Sequence, residues 1–319
     1  MSDDAGAART DRSWGAGAVL LAYLMLAVGF ICIGVSAQTE NIVWGLWITE
    51  VFAIALPALI WLRATGAPLL PQLGLRWPRA RWLWIAAGTA ILNQPVVSLL
   101  TWIAQEGLPR ALLQEFEQKN ASLEFIFTQH PLSMLAAVAL SAPLGEEIFF
   151  RGFALPAAAR SMRPLFAALL TAALFSLMHA DAIGALGLFE IGLWLAALRW
   201  GSGSLVPAML GHALNNGLAG VWFLLGLQST GRAPPAWAIT LGIDNPDAPP
   251  PTWVMIAGAL LVLLGVYFLR QIFSRPSPAD EEDASARAPH AGFLRALPLT
   301  SVWLLAAAAG AFELLHLKR

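Results

Sequence analysis

Nine apolar stretches, separated by charged residues, prolines and glycines, run along the chain: 14–36, 42–62, 82–104, 130–156, 164–181, 183–199, 204–227, 252–273 and 296–316. A helix needs about 20 mostly uncharged residues to cross the hydrocarbon of a bilayer. The pattern therefore predicts an all-α, polytopic transmembrane helix bundle of eight or nine spans. The sixth stretch is short and carries Glu190, and the ninth carries Pro298 and Glu313. Either fits a re-entrant or interfacial helix as well as a span.

The segments between them sort by residue type. Leu112, Leu113, Phe116, Leu123 and Phe127 recur at near-helical spacing among Glu115, Glu117, Lys119 and Glu124, which fits a helix at the interface or a short soluble one. Residues 228–251 hold Pro234, Pro235, Pro246, Pro249, Pro250 and Pro251, the makings of an irregular loop. Residues 274–294 include Asp280, Glu281, Glu282 and Asp283 and read as a flexible acidic linker. The expected organisation is a tail at 1–13, spans and an interfacial segment at 14–129, a helical core at 130–227, the proline-rich loop at 228–251, and C-terminal spans with the acidic linker at 252–319.

Composition agrees with this pattern. Hydrophobic residues make up 58% of the 319 and charged residues 12%, against about 25% charged in a soluble domain. The lipid bilayer is thus the expected surrounding partner. A net charge of −1 without a dense basic stretch argues against nucleic-acid binding. The single Cys32 allows no intramolecular disulfide. With the N-terminus inside, the inner segments hold 13 Lys and Arg and the outer ones 5, so the positive-inside rule places the N-terminus in the cytoplasm.

Charged and polar groups inside such spans are costly, at roughly 2.5–3.5 kcal/mol for an ion at a helix centre, and are usually paired and functional. Here they cluster. The fourth stretch contains Glu146, Glu147 and Arg151, of which Glu147 and Arg151 share a helix face at i and i+4 and can pair. Glu146 points about 100° away and is left free. The fifth ends with Phe175 and His179 one turn apart, and the seventh begins with His212 and Asn216 at the same spacing. Taken alone, His179 is more often a satisfied interior histidine than a catalyst. Asn216 alone could simply bond a neighbouring helix. A depth count gives weak support for a shared site. At 1.5 Å per residue, Glu146 is about 15 Å from the inner end of its span, His212 about 12 Å and His179 about 23 Å.

Peptide hydrolysis needs a base for water, donors for the oxyanion and a proton for the leaving amine. Glu146 with His179 can supply the first and third, and His212 with Asn216 the second. The same groups could instead hold zinc through His179, His212 and Glu146, and spacing does not choose between a metal site and a metal-free glutamate mechanism. No His-Glu-x-x-His sequence occurs. Gly201-Ser202-Gly203-Ser204 reads as a turn and not as a nucleophile elbow. Proton-coupled transport through Glu190 and the glutamate pair is a competing use, which two histidines and an asparagine fit less well.

The order Glu146-Glu147-x-x-x-Arg151, Phe175-x-x-x-His179 and His212-x-x-x-Asn216 resembles the CAAX protease and bacteriocin-processing enzyme family of intramembrane peptidases, also called type II CAAX prenyl endopeptidases or the Abi family. The resemblance covers about 130–225. It implies that Glu146 activates water with His179, that His212 and Asn216 support the oxyanion, and that Glu147, Arg151 and Phe175 shape the site. It also implies a peptide or membrane-protein substrate, prenylated in eukaryotic members and linked to bacteriocin maturation or self-immunity in many bacterial ones. The composition looks bacterial, so the expected location is the bacterial plasma (inner) membrane. The alternative from a different class is a non-catalytic membrane peptide-binding or self-immunity protein.

Overall fold

The computed structural model describes residues 15–66, 68–228, 249–275 and 297–316. Every regular element among them is helical. In chain order these are α1 (Ala16–Glu40), α2 (Ile42–Ala64), α3 (Leu69–Leu73), α4 (Ala80–Gly107), α5 (Arg110–Gln129), α6 (Pro131–Ala159), α7 (Pro164–Met178), α8 (Ala185–Ser202), α9 (Val206–Gln228), α10 (Thr252–Phe273) and α11 (Leu297–His316). A helix stands at each of the nine apolar stretches, and α5 stands where a helix was expected between spans three and four. Nearly all of the proline-rich loop and of the acidic linker lies outside the described residues, as does the side chain of Glu313.

Five helices, α1, α2, α4, α6 and α10, are long and apolar enough to cross a membrane by length and composition, and α7 is a shorter apolar helix. The chain is an integral membrane protein. Exposed side chains agree with lipid surroundings: Leu20, Leu24 and Ile31 on α1 and Ile256, Leu260, Leu263 and Leu264 on α10 are large, apolar and open. In lipid, apolar area gives no drive between helices, so cohesion comes from close packing and polar contacts. Gly192 on α8 shows the first: a Cβ there would meet Ala172 Cα of α7 at 2.8 Å, so only glycine lets these two backbones approach.

Prolines set the shape of α2 and α6. A proline inside a helix lacks an N–H and crowds the carbonyl four residues earlier. Ahead of Pro57, Pro143 and Pro156 the helix widens by one residue per turn, over Thr49–Ala55, Ala137–Ser141 and Ile148–Ala154. In each case the residue before the proline donates to the carbonyl five positions back: Leu56 to Val51, Ala142 to Ala137, and Leu155 to Phe150. Such wide turns re-aim side chains and often sit at functional sites. The two in α6 flank Glu146 and Glu147.

The core is centred on α6. Phe149, Phe150, Phe153, Leu155, Phe175, Leu195 and Leu205 are buried with Leu26, Ile54 and Leu62 from the first two helices. The region 130–227 thus shares one core with α1 and α2.

Candidate active site

Glu147, fully buried on α6, organises the polar cluster. Its Oε1 accepts from Arg151 Nη1 at 2.8 Å and from His212 Nδ1 on α9 at 2.9 Å. The i, i+4 pair expected from the sequence is formed. Arg151 also donates from Nη2 to the Gly192 carbonyl at 3.1 Å and lies 4.5 Å above the Phe175 ring. The guanidinium, itself buried, therefore has a carboxylate, a carbonyl and a ring face as partners, the conditions under which a buried ion pair is tolerated.

Both histidine rings have assignable protons. Glu147 Oε1 serves a guanidinium and can only accept, so His212 Nδ1 carries the hydrogen and its Nε2 faces Glu146 Oε2 at 3.7 Å. His179, which follows the last residue of α7, has Nδ1 2.9 Å from the Phe175 carbonyl. That oxygen also can only accept, so Nδ1 again donates and Nε2 faces Glu146 Oε1 at 3.8 Å. The two imidazoles thus present Nε2 to one Glu146 oxygen each. The separations exceed a direct hydrogen bond and suit a group or water held between them. Phe175 spaces the rings, with centroids 4.9 Å from His179 and 5.9 Å from His212. His179 is the more exposed of these three: its side chain is 27% exposed, against 6% for Glu146 and 4% for His212.

The helix ends explain how these residues reach one level. α6 continues to Ala159, three residues past the expected end, so Glu146 is about 20 Å and His179 about 23 Å from the turn that joins α6 to α7. α9 starts deeper, because the Ser204-Leu205 turn before it is wholly buried. Leu205 N–H donates to the Gly74 carbonyl and Ser204 Oγ to the Arg76 carbonyl. Those contacts and the Ser202 Oγ bond to Leu198 make the glycine-serine run a structural turn.

Asn216 stands one turn beyond His212, and its Nδ2 donates to the Val138 carbonyl at 3.1 Å. The wide turn explains this partner. Ala142 N–H goes to Ala137, and the donor five residues beyond Val138 would be Pro143, which has none. One amide hydrogen of Asn216 is therefore committed to α6 and one remains. Asn215, which the sequence pattern did not single out, accepts from Gln94 Nε2 of α4 at 3.0 Å. With its amide turned to donate, Asn93 on the same helix lies 3.1 and 3.0 Å from the two oxygens of Glu190, a contact between α4 and α8.

Two further features escaped the sequence reading. Glu50 on α2 is buried, its carboxyl packs against Gly145, and its Oε2 has no hydrogen-bond partner among the described residues. A lone acid amid an apolar span was the available signal. The second is the turn after His179. Ala180 has φ 47°, the one positive-φ residue other than glycine among those described, a conformation that costs about 1–2 kcal/mol. Asp181 follows it, accepting from Gly184 N–H at 2.8 Å and from Lys119 Nζ of α5 at 2.9 Å. Burial pushes the Asp181 carboxyl up, but these two donors outweigh it and hold the group below the ordinary carboxylate range.

Among the described residues no three His, Cys, Asp or Glu side chains are grouped closely enough to hold a metal ion. His179, His212 and Glu146 converge as a donor set without the spacing of a cage.

The matched segment is the one that carries these residues. Residues 128–218 match the family model of the type II CAAX prenyl endopeptidase, Rce1-like. The Rce1-like segment holds α6, α7, α8 and the first half of α9, and so contains Glu146, Glu147, Arg151, Phe175, His179, His212 and Asn216. This likeness supports a membrane protease. Neither the curated proteins nor the solved structures compared provide a match to the chain.

Proposed function

We propose that the protein is an intramembrane endopeptidase in which Glu146 is the general base and proton carrier. The observation that carries this reading is the convergence of His179 Nε2 and His212 Nε2 on the two oxygens of one buried carboxylate.

In the proposed reaction a water between Glu146 and His179 gives a proton to Glu146 as its oxygen attacks the scissile carbonyl carbon. The carbonyl π bond breaks and its electron pair becomes the oxyanion. His212 Nε2 is turned to that oxyanion as a donor, and Glu147 holds the ring in place through Nδ1–H. A carboxylate behind an imidazole both fixes the ring and stabilises its cation. The second amide hydrogen of Asn216 adds a donor. The intermediate collapses with cleavage of the C–N bond, and Glu146 returns the proton to the leaving amine, so no net proton is gained. Arg151 anchors Glu147 through their ion pair, and Phe175 holds the two rings apart.

The substrate is a peptide or membrane protein presented at the His179 side, where the site is more exposed than at Glu146 or His212. Rce1-like similarity makes a C-terminal CAAX sequence with a prenyl group the first substrate to try, beside unprenylated membrane peptides. Incubating purified protein in detergent with prenylated and unprenylated peptide libraries, and comparing the wild type with Glu146→Ala and His179→Ala by mass spectrometry, tests the reading.

A further inference from the structure

α5 takes no part in the proposed chemistry, yet it is tied to the turn that carries His179. That turn begins where the helical hydrogen bonds of α7 run out: His179 N–H bonds the Ser176 carbonyl and Ala180 N–H the Leu177 carbonyl, each at 3.2 Å. The His179 ring is held on the α7 side by the Phe175 carbonyl, and on the other side the backbone that leaves it runs through residues 180–184. A helix end that turns left-handed normally places glycine or asparagine at that position, because either takes it readily. Here alanine occupies it, so the conformation needs outside support.

Asp181 is placed to give that support. Oδ1 closes the turn on Gly184 N–H, and Oδ2 receives Lys119 from a helix 62 positions earlier. Ser176 Oγ donates to the Ala185 carbonyl at 2.8 Å and closes the other side of the turn. An exposed ion pair usually contributes little, but here the Asp181 side chain is only 13% exposed against 47% for Lys119. The acid is set into the protein and the lysine reaches down to it. α5 is in turn fixed near its C-terminal end by buried Phe127.

We propose that Asp181, clamped by Lys119 of α5, is a positioning residue for His179, holding the left-handed Ala180 turn that aims Nε2 at Glu146. The proposal rests on the reading of His179 as part of the site. α5 then acts as a strap that keeps His179 in register.

The test uses full-length protein in detergent and reads the carbethoxylation of His179 by diethyl pyrocarbonate, by peptide mass spectrometry. Exposed His130 is the accessible standard and buried His212 the protected one. Lys119→Met, which keeps the stem and removes the charge, raises His179 modification relative to His130 roughly two- to fivefold, the span that a pair of this kind can bias. Lys119→Arg restores the wild-type ratio. In an Ala180→Gly background, where the turn needs no support, Lys119→Met has a smaller effect. An unchanged ratio in Lys119→Met overturns the clamp. An equal rise in both backgrounds also overturns it, because Lys119 then only shields the ring. On a substrate that is cleaved, Lys119→Met lowers kcat and leaves KM unchanged, whereas loss of fold would lower both activity and thermal stability. The modification readout needs no catalysis, so a protein that cleaves nothing sinks the peptidase reading and leaves the clamp decided on its own result.

Discussion

His212 Nδ1 and Arg151 Nη1 meet on the same oxygen of Glu147, at 2.9 and 2.8 Å. One buried atom thereby joins an ion pair that stabilises the core to the ring that faces Glu146. Loss of the guanidinium would leave a carboxylate inside the bundle with only an imidazole for company.

Arg151→Ala is therefore expected to destabilise the fold by about 3–5 kcal/mol, the usual cost of removing one partner of a buried pair. It should lower activity as well. Arg151→Lys should recover part of the stability, since an ammonium can meet Glu147 but cannot reproduce the planar fork to Glu147 and Gly192 together. Thermal unfolding in detergent measures both, and a melting curve unchanged in Arg151→Ala would contradict the pairing.

Asn216 and Pro143 should be energetically coupled. Removing the amide in Asn216→Ala leaves the Val138 carbonyl unpaired, at a cost of about 1–3 kcal/mol. Pro143→Ala supplies an N–H to the same turn and gives that carbonyl another donor. The stability loss from Asn216→Ala should then be smaller in the Pro143→Ala background, and a double-mutant cycle measures the difference. Additive losses would mean that Val138 does not depend on Asn216.

How much of this was legible in the sequence follows from what each feature depends on. Apolar length is local, so a helix stands at each of the nine stretches, and the i, i+4 spacing of Glu147 and Arg151 foretold their contact. The choice of Glu147 as the His212 partner was not legible, because it depends on how α6 and α9 face one another. Nor was the level of His179, which followed once α6 proved to run on to Ala159 and α9 to start from a buried turn. Widened turns ahead of Pro57, Pro143 and Pro156 could have been anticipated from proline chemistry. Their consequence for Val138 and Asn216 needed the tertiary contact. Glu50 carried a readable signal, a single acid within an apolar stretch, but its place against Gly145 is a meeting of two helices 95 residues apart.

That meeting gives a further expectation. A Cβ on Gly145 would overlap the Glu50 carboxyl and lie 2.6 Å from the Glu50 carbonyl. Side-chain motion alone cannot relieve a clash with backbone. Gly145→Ala should cost about 1–3 kcal/mol through overpacking and push α2 off α6 beside Glu146. Thermal unfolding together with cleavage rate checks this, and a variant as stable as wild type would show that the two helices are not in close contact.

The central claim is that Glu146 carries the water's proton with His179 beside it. The most direct measurement is the rate of peptide cleavage by purified wild type, Glu146→Ala and His179→Ala under identical conditions, with melting curves to show that each variant is folded. Removing a group that moves a proton in the transition state typically lowers the rate by about 10²–10⁴-fold, and losses of that order are expected for Glu146→Ala. His179→Ala should also be clearly slowed. Equal cleavage by all three proteins would contradict the account.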